Sequence, residues 1–251
     1  MKNHTASTLM GLILLLSMLG CNALAITNDS QGGGRVLGSG SLAQASRDAG
    51  HVTDVELAME GTLYIQTGSS QSLQIEAEDN LLDYIQTNVS GDHLVIQTRP
   101  GFNLETTRPI NYHLTARKLS GVTISSSGDV KVEDLSSPSF MIRINSSGNL
   151  SVASLQGKSV HVKIASSGDV EILGGQVDQQ TITISSSGEY RARGLASREA
   201  DVRLTSSGKA TIQVSDRLSG RLSSSGGIDY IGNPDVNVST TSSGRAVQID
   251  Q

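Results

Sequence analysis

Val122-Thr123-Ile124-Ser125-Ser126-Ser127-Gly128-Asp129-Val130-Lys131-Val132 is the first of seven versions of one phrase: an alternating aliphatic pair, Ser-Ser-Gly, then a second alternating pair. The glycines that mark it are Gly128, Gly148, Gly168, Gly188, Gly208, Gly226 and Gly244, so four equal intervals are followed by two that are each shorter by a pair of positions. Repetition at a period of roughly 20 is the signature of a solenoid, whose units are too small to bury an apolar face except against their neighbours. Counted from each glycine, positions −6, −4, +2 and +4 are mostly apolar: Val122, Ile124, Val130 and Val132, then Ile142, Ile144, Leu150 and Val152, and so on along the array. Period-two alternation means strands with one face inward. The parity runs through Ser-Ser-Gly, which puts the −2 serines and the glycines on the inward phase, where small residues permit a sharp corner and glycine tolerates a positive φ if the corner demands one.

A Ser-Gly hairpin in an antiparallel meander is the plainer alternative. Parallel coils are preferred, because like then stacks on like, a serine ladder can hydrogen-bond along the column, and hairpins would not require identical phrases. The fold expected is therefore all-β, a single-stranded parallel β-helix or β-solenoid with about seven regular Ser-Ser-Gly coils in the C-terminal half. With one coil per strand spacing of about 4.8 Å, the seven corners span about 29 Å. The last units lose the pattern, as terminal repeats of a solenoid do: Gly220 replaces the −6 aliphatic residue, and Val247 and Ile249 fall off phase.

The 251 residues carry a net charge of −5, with lysine and arginine spread singly, which argues against nucleic acid as a partner. Tryptophan is absent and aromatic residues make up 3% of the chain, so the core is aliphatic and aromatic sugar-stacking platforms are scarce. Residues 1–25 read as an export signal, with Lys2 ahead of the apolar run from Leu9 to Leu19, a stretch too short for a permanent membrane span. Two cleavage readings compete. Met18-Leu19-Gly20-Cys21 resembles a bacterial lipobox, with Cys21 lipidated as the mature N-terminus, although Met18 departs from the usual leucine; Ala23-Leu24-Ala25 is an ordinary signal-peptidase site that would release a soluble protein. The lipoprotein is the preferred reading, since the chain's one cysteine directly follows a glycine at the end of the apolar run, and multiple acyl chains anchor stably. By resemblance to Gram-negative sorting signals, Asn22 in place of aspartate sends it to the outer membrane; a soluble periplasmic or secreted protein is the alternative. Residues 26–40, rich in glycine, read as a flexible tether, and residues 41–251 as one β-solenoid domain, irregular over 41–119 and regular over 120–251.

From Val52 to Thr98 the alternation continues in longer units, and Asn80-Leu81-Leu82-Asp83-Tyr84-Ile85 breaks it as a helical turn or a plug over the solenoid's open end. Gly38-Ser39-Gly40, Val52-Thr53-Asp54-Val55-Glu56-Leu57, Leu73 through Leu82, Gly91-Asp92-His93-Leu94-Val95-Ile96 and Leu119-Ser120-Gly121-Val122, followed by the Ser-Gly repeats, make an ordered pattern over roughly residues 36–250. That pattern resembles the head GIN domain family of autotransporter-adhesin-like proteins, a domain of unknown function. The resemblance implies a parallel β-helix-like fold in exported bacterial proteins, often lipoproteins, and no established activity.

In a solenoid the outward positions align in columns, so residues distant in sequence become neighbours. The +1 column reads Asp129, Asn149, Asp169, Glu189, Lys209, Gly227, Arg245. Its acidic half, Asp129, Asp169 and Glu189, is a candidate cation site or, as on β-helical pectinases, a polysaccharide-cleaving site; the plainer reading is that short polar residues favour the position after a corner glycine. The −5 column reads Thr123, Arg143, Lys163, Thr183, Arg203, Arg221, Ser239. Its cations Arg143, Lys163, Arg203 and Arg221 are candidates to hold an acidic glycan, or else they keep a β-surface soluble. No Gly-x-Ser-x-Gly elbow, phosphate loop or dinucleotide fingerprint occurs, and His51, His93, His113 and His161 are not spaced as a metal or triad set. The chain therefore reads as a non-catalytic envelope module without cofactor, binding an extended polysaccharide or an envelope protein and held to the membrane by its lipid. The alternatives are a glycan lyase or hydrolase, and a periplasmic stress or assembly factor.

Overall fold

Parallel stacking at the sequence period decides between the two architectures. In the computed structural model, which describes residues 33–250, Val122 lies opposite Ile142, Ile142 opposite Val162, Val162 opposite Ile182 and Ile182 opposite Val202. Beyond the corner the same holds for Val130, Leu150, Val170, Tyr190 and Ala210. These ladders build a β-solenoid of about six turns, and the expected −6, −4, +2 and +4 residues of the first four units are all buried. A third, shorter strand segment completes each coil, with Leu135 against Leu155 and Leu155 against Gly175.

The period shortens near the end of the array for a local reason. Between Ala192 and Ala196 one coil carries residues 193–195 that its successor lacks, whereas between Ser197 and Glu199 the successor gains one residue. The net loss persists to the end of the array, where Leu218 pairs with Val236 and Ile228 with Ala246.

The corner glycines owe their identity to crowding. None has a positive φ. An added Cβ at Gly168 would stand 2.6 Å from Ile144 Cγ2 and 2.8 Å from Ser146 O, and closer still to Gly148 O. Each corner thus nests on the backbone carbonyls of the corner before it. The −2 serines point inward and are half-buried up to Ser224. Ser126 Oγ donates to Met59 O at 2.6 Å, and Ser146 Oγ donates to Ser126 O. At these two corners the serine bonds therefore run hydroxyl to carbonyl. One buried polar cluster interrupts the aliphatic core: Tyr190 OH donates to Gln180 Oε1 at 2.7 Å, and Gln180 Nε2 donates to Ser197 Oγ at 2.9 Å. Burial drives the Tyr190 phenol well above its ordinary pKa, so it stays a neutral donor.

The N-terminal half is stacked out of chain order. The coil made by strands Asp54–Ala58 and Thr62–Thr67 is flanked on one side by the coil at residues 121–132. Its other side is covered by strands His93–Thr98 and Asn111–Ala116. Antiparallel strands then close this end: Ile85–Ser90 along one sheet, and Ser72–Glu78 with Leu42–Arg47 along the other. The stretch expected as a helical turn or plug is a 3-10 helix, Asp79–Tyr84, with Leu81 buried beneath it. Residues 41–119 are thus coils plus an antiparallel cap, which shields the backbone edge.

The tether expected over 26–40 is corrected at its C-terminal end. Arg35–Leu37 pairs in parallel with Asn103–Glu105, and Gly38-Ser39-Gly40 wraps the Glu78-Asp79-Asn80 segment. Ser39 N donates to Asn80 Oδ1 at 2.9 Å, and Asn80 Nδ2 returns a bond to Leu37 O at 2.8 Å. The fully buried Glu78 carboxylate accepts from Gly40 N at 2.6 Å, Thr107 Oγ1 at 2.6 Å and Thr107 N at 2.9 Å. These bonds, the Thr107 hydroxyl foremost, hold the Glu78 carboxyl below the usual glutamate range. Among the described residues the opposite end has no such cap. Strands Asp235–Thr240 and Arg245–Gln248 form the last coil, with Val236 and Val247 exposed. The export signal at 1–25, Cys21 and residues 26–32 lie outside the described residues. Among the described residues no helix is long and apolar enough to cross a membrane.

Candidate binding face

The sheet that precedes the Ser-Ser-Gly corner presents its outer face in straight columns. Thr123, Arg143, Lys163, Thr183, Arg203, Arg221 and Ser239 are successive cross-strand neighbours, so the −5 column is one physical stripe. Alternation sends these side chains outward, and all four cations are exposed. Among the described residues Arg143, Lys163 and Arg221 make no ion pair, while Arg203 Nη2 reaches Asp201 Oδ2 at 3.4 Å. The −3 and −1 columns beside them are exposed throughout and mostly carry hydroxyls, from Ser125 and Ser127 to Thr241 and Ser243. Near the open end Arg203 and Arg221 flank a shallow cavity of about 400 Å³, which Asp201, Ser219, Asn237 and Ser239 also line.

The acidic column on the next sheet has a different occupation. Asp129 Oδ1 accepts the backbone N–H of Asn149 at 3.0 Å, Asn149 Oδ1 that of Asp169 at 3.2 Å, and Asp169 Oδ1 that of Glu189 at 3.0 Å. Each +1 side chain thereby caps the amide one coil further on. Arg191 clamps the end of the series, with Nη2 3.1 Å from Asp169 Oδ2 and Nη1 2.7 Å from Glu189 Oε2. Partial burial works against the Arg191 charge, yet Asp169 and Glu189 outweigh it and hold the guanidinium above its usual pKa. Asp129 Oδ1, both oxygens of Asp169 and Glu189 Oε2 are thus given to amides and to Arg191. Among the described residues no three His, Cys, Asp or Glu side chains converge as a metal cluster.

Family and fold comparisons fit this geometry. The model of the family described as "Putative auto-transporter adhesin, head GIN domain" matches residues 51–234. The chain belongs to that family. No curated protein matches the sequence. A solved structure described as a putative adhesin from Bacteroides fragilis is 21% identical, with a TM-score of 0.78 over 85% of this chain and all of that one. A putative adhesin from Parabacteroides distasonis is 18% identical, with a TM-score of 0.69 over 86% of this chain and all of that one. A further protein from Parabacteroides distasonis, described as a putative lipid binding protein, is 22% identical with a TM-score of 0.70, over 86% of this chain and 99% of that one. At these identities the solved structures share the fold. The head GIN domain family is adhesin-like by description, which fits an extracellular or envelope-exposed protein.

Within this head GIN domain some contacts lay beyond a column-by-column reading. His93 Nδ1 is 2.6 Å from Asp54 Oδ1 and its Nε2 is 3.6 Å from Glu56 Oε2, whose other oxygen accepts from Ser125 Oγ at 2.6 Å. His113 stacks on Tyr64 with ring centroids 5.1 Å apart, and Lys131 Nζ lies 5.5 Å from the centre of the Tyr64 ring. Both Tyr64 faces are therefore occupied. The first set is invisible until the out-of-order coil is known. By contrast Asp201, Ser219 and Asn237 could have been found by reading the −7 column, two positions before each −5 residue.

Proposed function

We propose that this head GIN domain is a non-catalytic binding module of the cell envelope, adhesin-like in action, which holds an extended acidic partner on its basic outer sheet face. The observation that carries this reading is the −5 column: among the described residues three of its four cations are without an ion pair, on a face where hydroxyls run alongside. A rigid ladder loses little conformational entropy when it binds, and charge-assisted hydrogen bonds from guanidinium groups suit carboxylate, sulfate or phosphate groups. The cleavage reading has less in its favour, because Asp129, Asp169 and Glu189 each give an oxygen to an amide or to Arg191.

We place the protein at the outer membrane as a lipoprotein anchored through Cys21, with cleavage after Ala25 and a soluble product as the alternative. The test of binding is to expose the purified protein to arrays of neutral and acidic polysaccharides, with and without calcium, and to score both retention and chain shortening. Retention of acidic chains without shortening is the expected result. Shortening would reinstate a lyase or hydrolase working through Asp129 and Asp169. Silence across the arrays would replace the glycan with an envelope protein as partner.

A further inference from the structure

Direct register makes two pairs of like charges nearest neighbours. Arg143 lies opposite Lys163, and Arg203 lies opposite Arg221, with Thr183 between the pairs. Like charges directly opposite on a sheet destabilise it. Some cations elsewhere stand beside carboxylates instead of each other: Lys209 reaches Asp229 at 2.7 Å, Arg217 reaches Glu199 at 2.8 Å and Arg198 reaches Asp216 at 3.1 Å. Across the sheet Arg143 and Lys163 are flanked by Thr123 and Thr183, and along their own strands by Met141, Asn145, His161 and Ala165, none of them a carboxylate. Around Arg203 and Arg221 stands Asp201 alone, leaving that pair a net positive charge.

We infer that the column is two anion subsites, Arg143 with Lys163 and Arg203 with Arg221, which together hold one linear acidic polysaccharide lying along the solenoid axis. The inference rests on the binding reading above and deepens it. The centres of the two pairs are three coil rises apart, about 14 Å at the usual strand spacing. An anionic group set between paired cations relieves their repulsion and accepts bonds from both. An extended sugar chain advances by roughly one coil rise per sugar unit, so about four units are needed to reach both subsites. Single-stranded nucleic acid fits less well, since it binds by stacking its bases on aromatic rings and this face carries neither tyrosine nor phenylalanine outward.

The test uses oligouronates, specifically the mannuronate dimer, tetramer and hexamer, titrated onto the purified protein at low salt. The hexamer is expected to bind at least tenfold more tightly than the dimer, with the gain appearing at the tetramer. The double variants Arg143→Ala with Lys163→Ala, and Arg203→Ala with Arg221→Ala, are each expected to return the hexamer to the affinity of the dimer. The Arg143 with Lys163 variant should melt at or above the wild-type temperature, because it removes a repulsion, and the Arg203 with Arg221 variant, which also gives up the exposed Arg203–Asp201 pair, close to it, and this separates lost binding from lost folding. Equal affinity for dimer and hexamer, or a double variant that leaves the hexamer unaffected, overturns the two-subsite inference while leaving the binding module standing. Equally tight binding of a single-stranded oligonucleotide also overturns it, in favour of general charge attraction. Failure of even long polyuronate to bind overturns the polysaccharide inference and leaves the module with an envelope protein as its partner.

Discussion

Replacing Gly168 with alanine probes the nested corners most directly. The new Cβ would lie 2.6 Å from Ile144 Cγ2 and 2.8 Å from Ser146 O, with Gly148 O nearer still, against an ordinary contact beginning at 3.4 Å. The neighbours are mostly backbone and cannot swing aside, so the two coils must part by about 0.8 Å to relieve the Ile144 contact alone, and by more to relieve Gly148 O. The adjoining bonds Ala165 N to Ile144 O and Leu150 N to Asp169 O, both 2.9 Å, would lengthen to about 3.7 Å, outside hydrogen-bonding range. Two lost hydrogen bonds at about 1 kcal/mol each, added to an overpacking cost of about 1 to 3 kcal/mol, predict a loss of about 3 to 5 kcal/mol. At Gly244 the same change meets Ser224 O at 2.8 Å and Leu222 Cβ at 2.9 Å, but among the described residues no coil is stacked beyond it and the strand can yield outward. There the loss should be about 1 kcal/mol or less. Guanidinium unfolding of the two variants beside wild type, followed by circular dichroism, measures the difference. Equal losses at the two sites, or a negligible loss at Gly168, would refute the account of the corner.

Tyr190→Phe leaves Gln180 Oε1 buried without its donor and should cost about 1 to 3 kcal/mol in the same unfolding assay, although no volume is lost beyond the hydroxyl. Because the folded-state pKa of Glu78 is depressed, its contribution is present above the ordinary glutamate value of 4.5 and is lost as pH falls below it; acid titration of stability should show that limb, and Glu78→Gln should flatten it. Cys21→Ala should shift the protein from the membrane to the soluble fraction of fractionated cells, and an unchanged membrane fraction would remove the lipid anchor from the account.

Much of the array was legible because its signal is local and repeated. Val122, Ile142 and Val162 sit in identical phrases, so the repeat period already named each residue's cross-strand partner. The basic column could be read off for the same reason. The glycines were legible as corners, but not the cause of their identity, since backbone crowding at Gly148 and Gly168 depends on how closely the coils nest. The role of Asp129, Asn149 and Asp169 as amide caps was also hidden: which N–H a side chain can reach is a matter of register and tilt. The N-terminal half carries no repeated phrase. Nothing local in Asp54 says that the strands beginning at His93 and at Gly121 will flank its coil from either side. The cap formed there by antiparallel strands depends on that arrangement.

The out-of-order coil sets an expected sequence of events in folding. Within the array each coil finds its neighbour in the very next repeat, but Val55 must wait for Val122. Closing that loop, more than three times the length of a repeat, costs roughly 1 kcal/mol more in chain entropy, and longer-range pairings form more slowly. A chain emerging N-terminus first from the ribosome therefore carries its earliest strands half-covered until the segment around Gly121 has followed. The C-terminal coils should zip before the clasp closes, so that pulse-labelled hydrogen exchange protects Ile144 and Ile164 ahead of Leu57. In such a molecule the beginning of the chain is the last part to be finished.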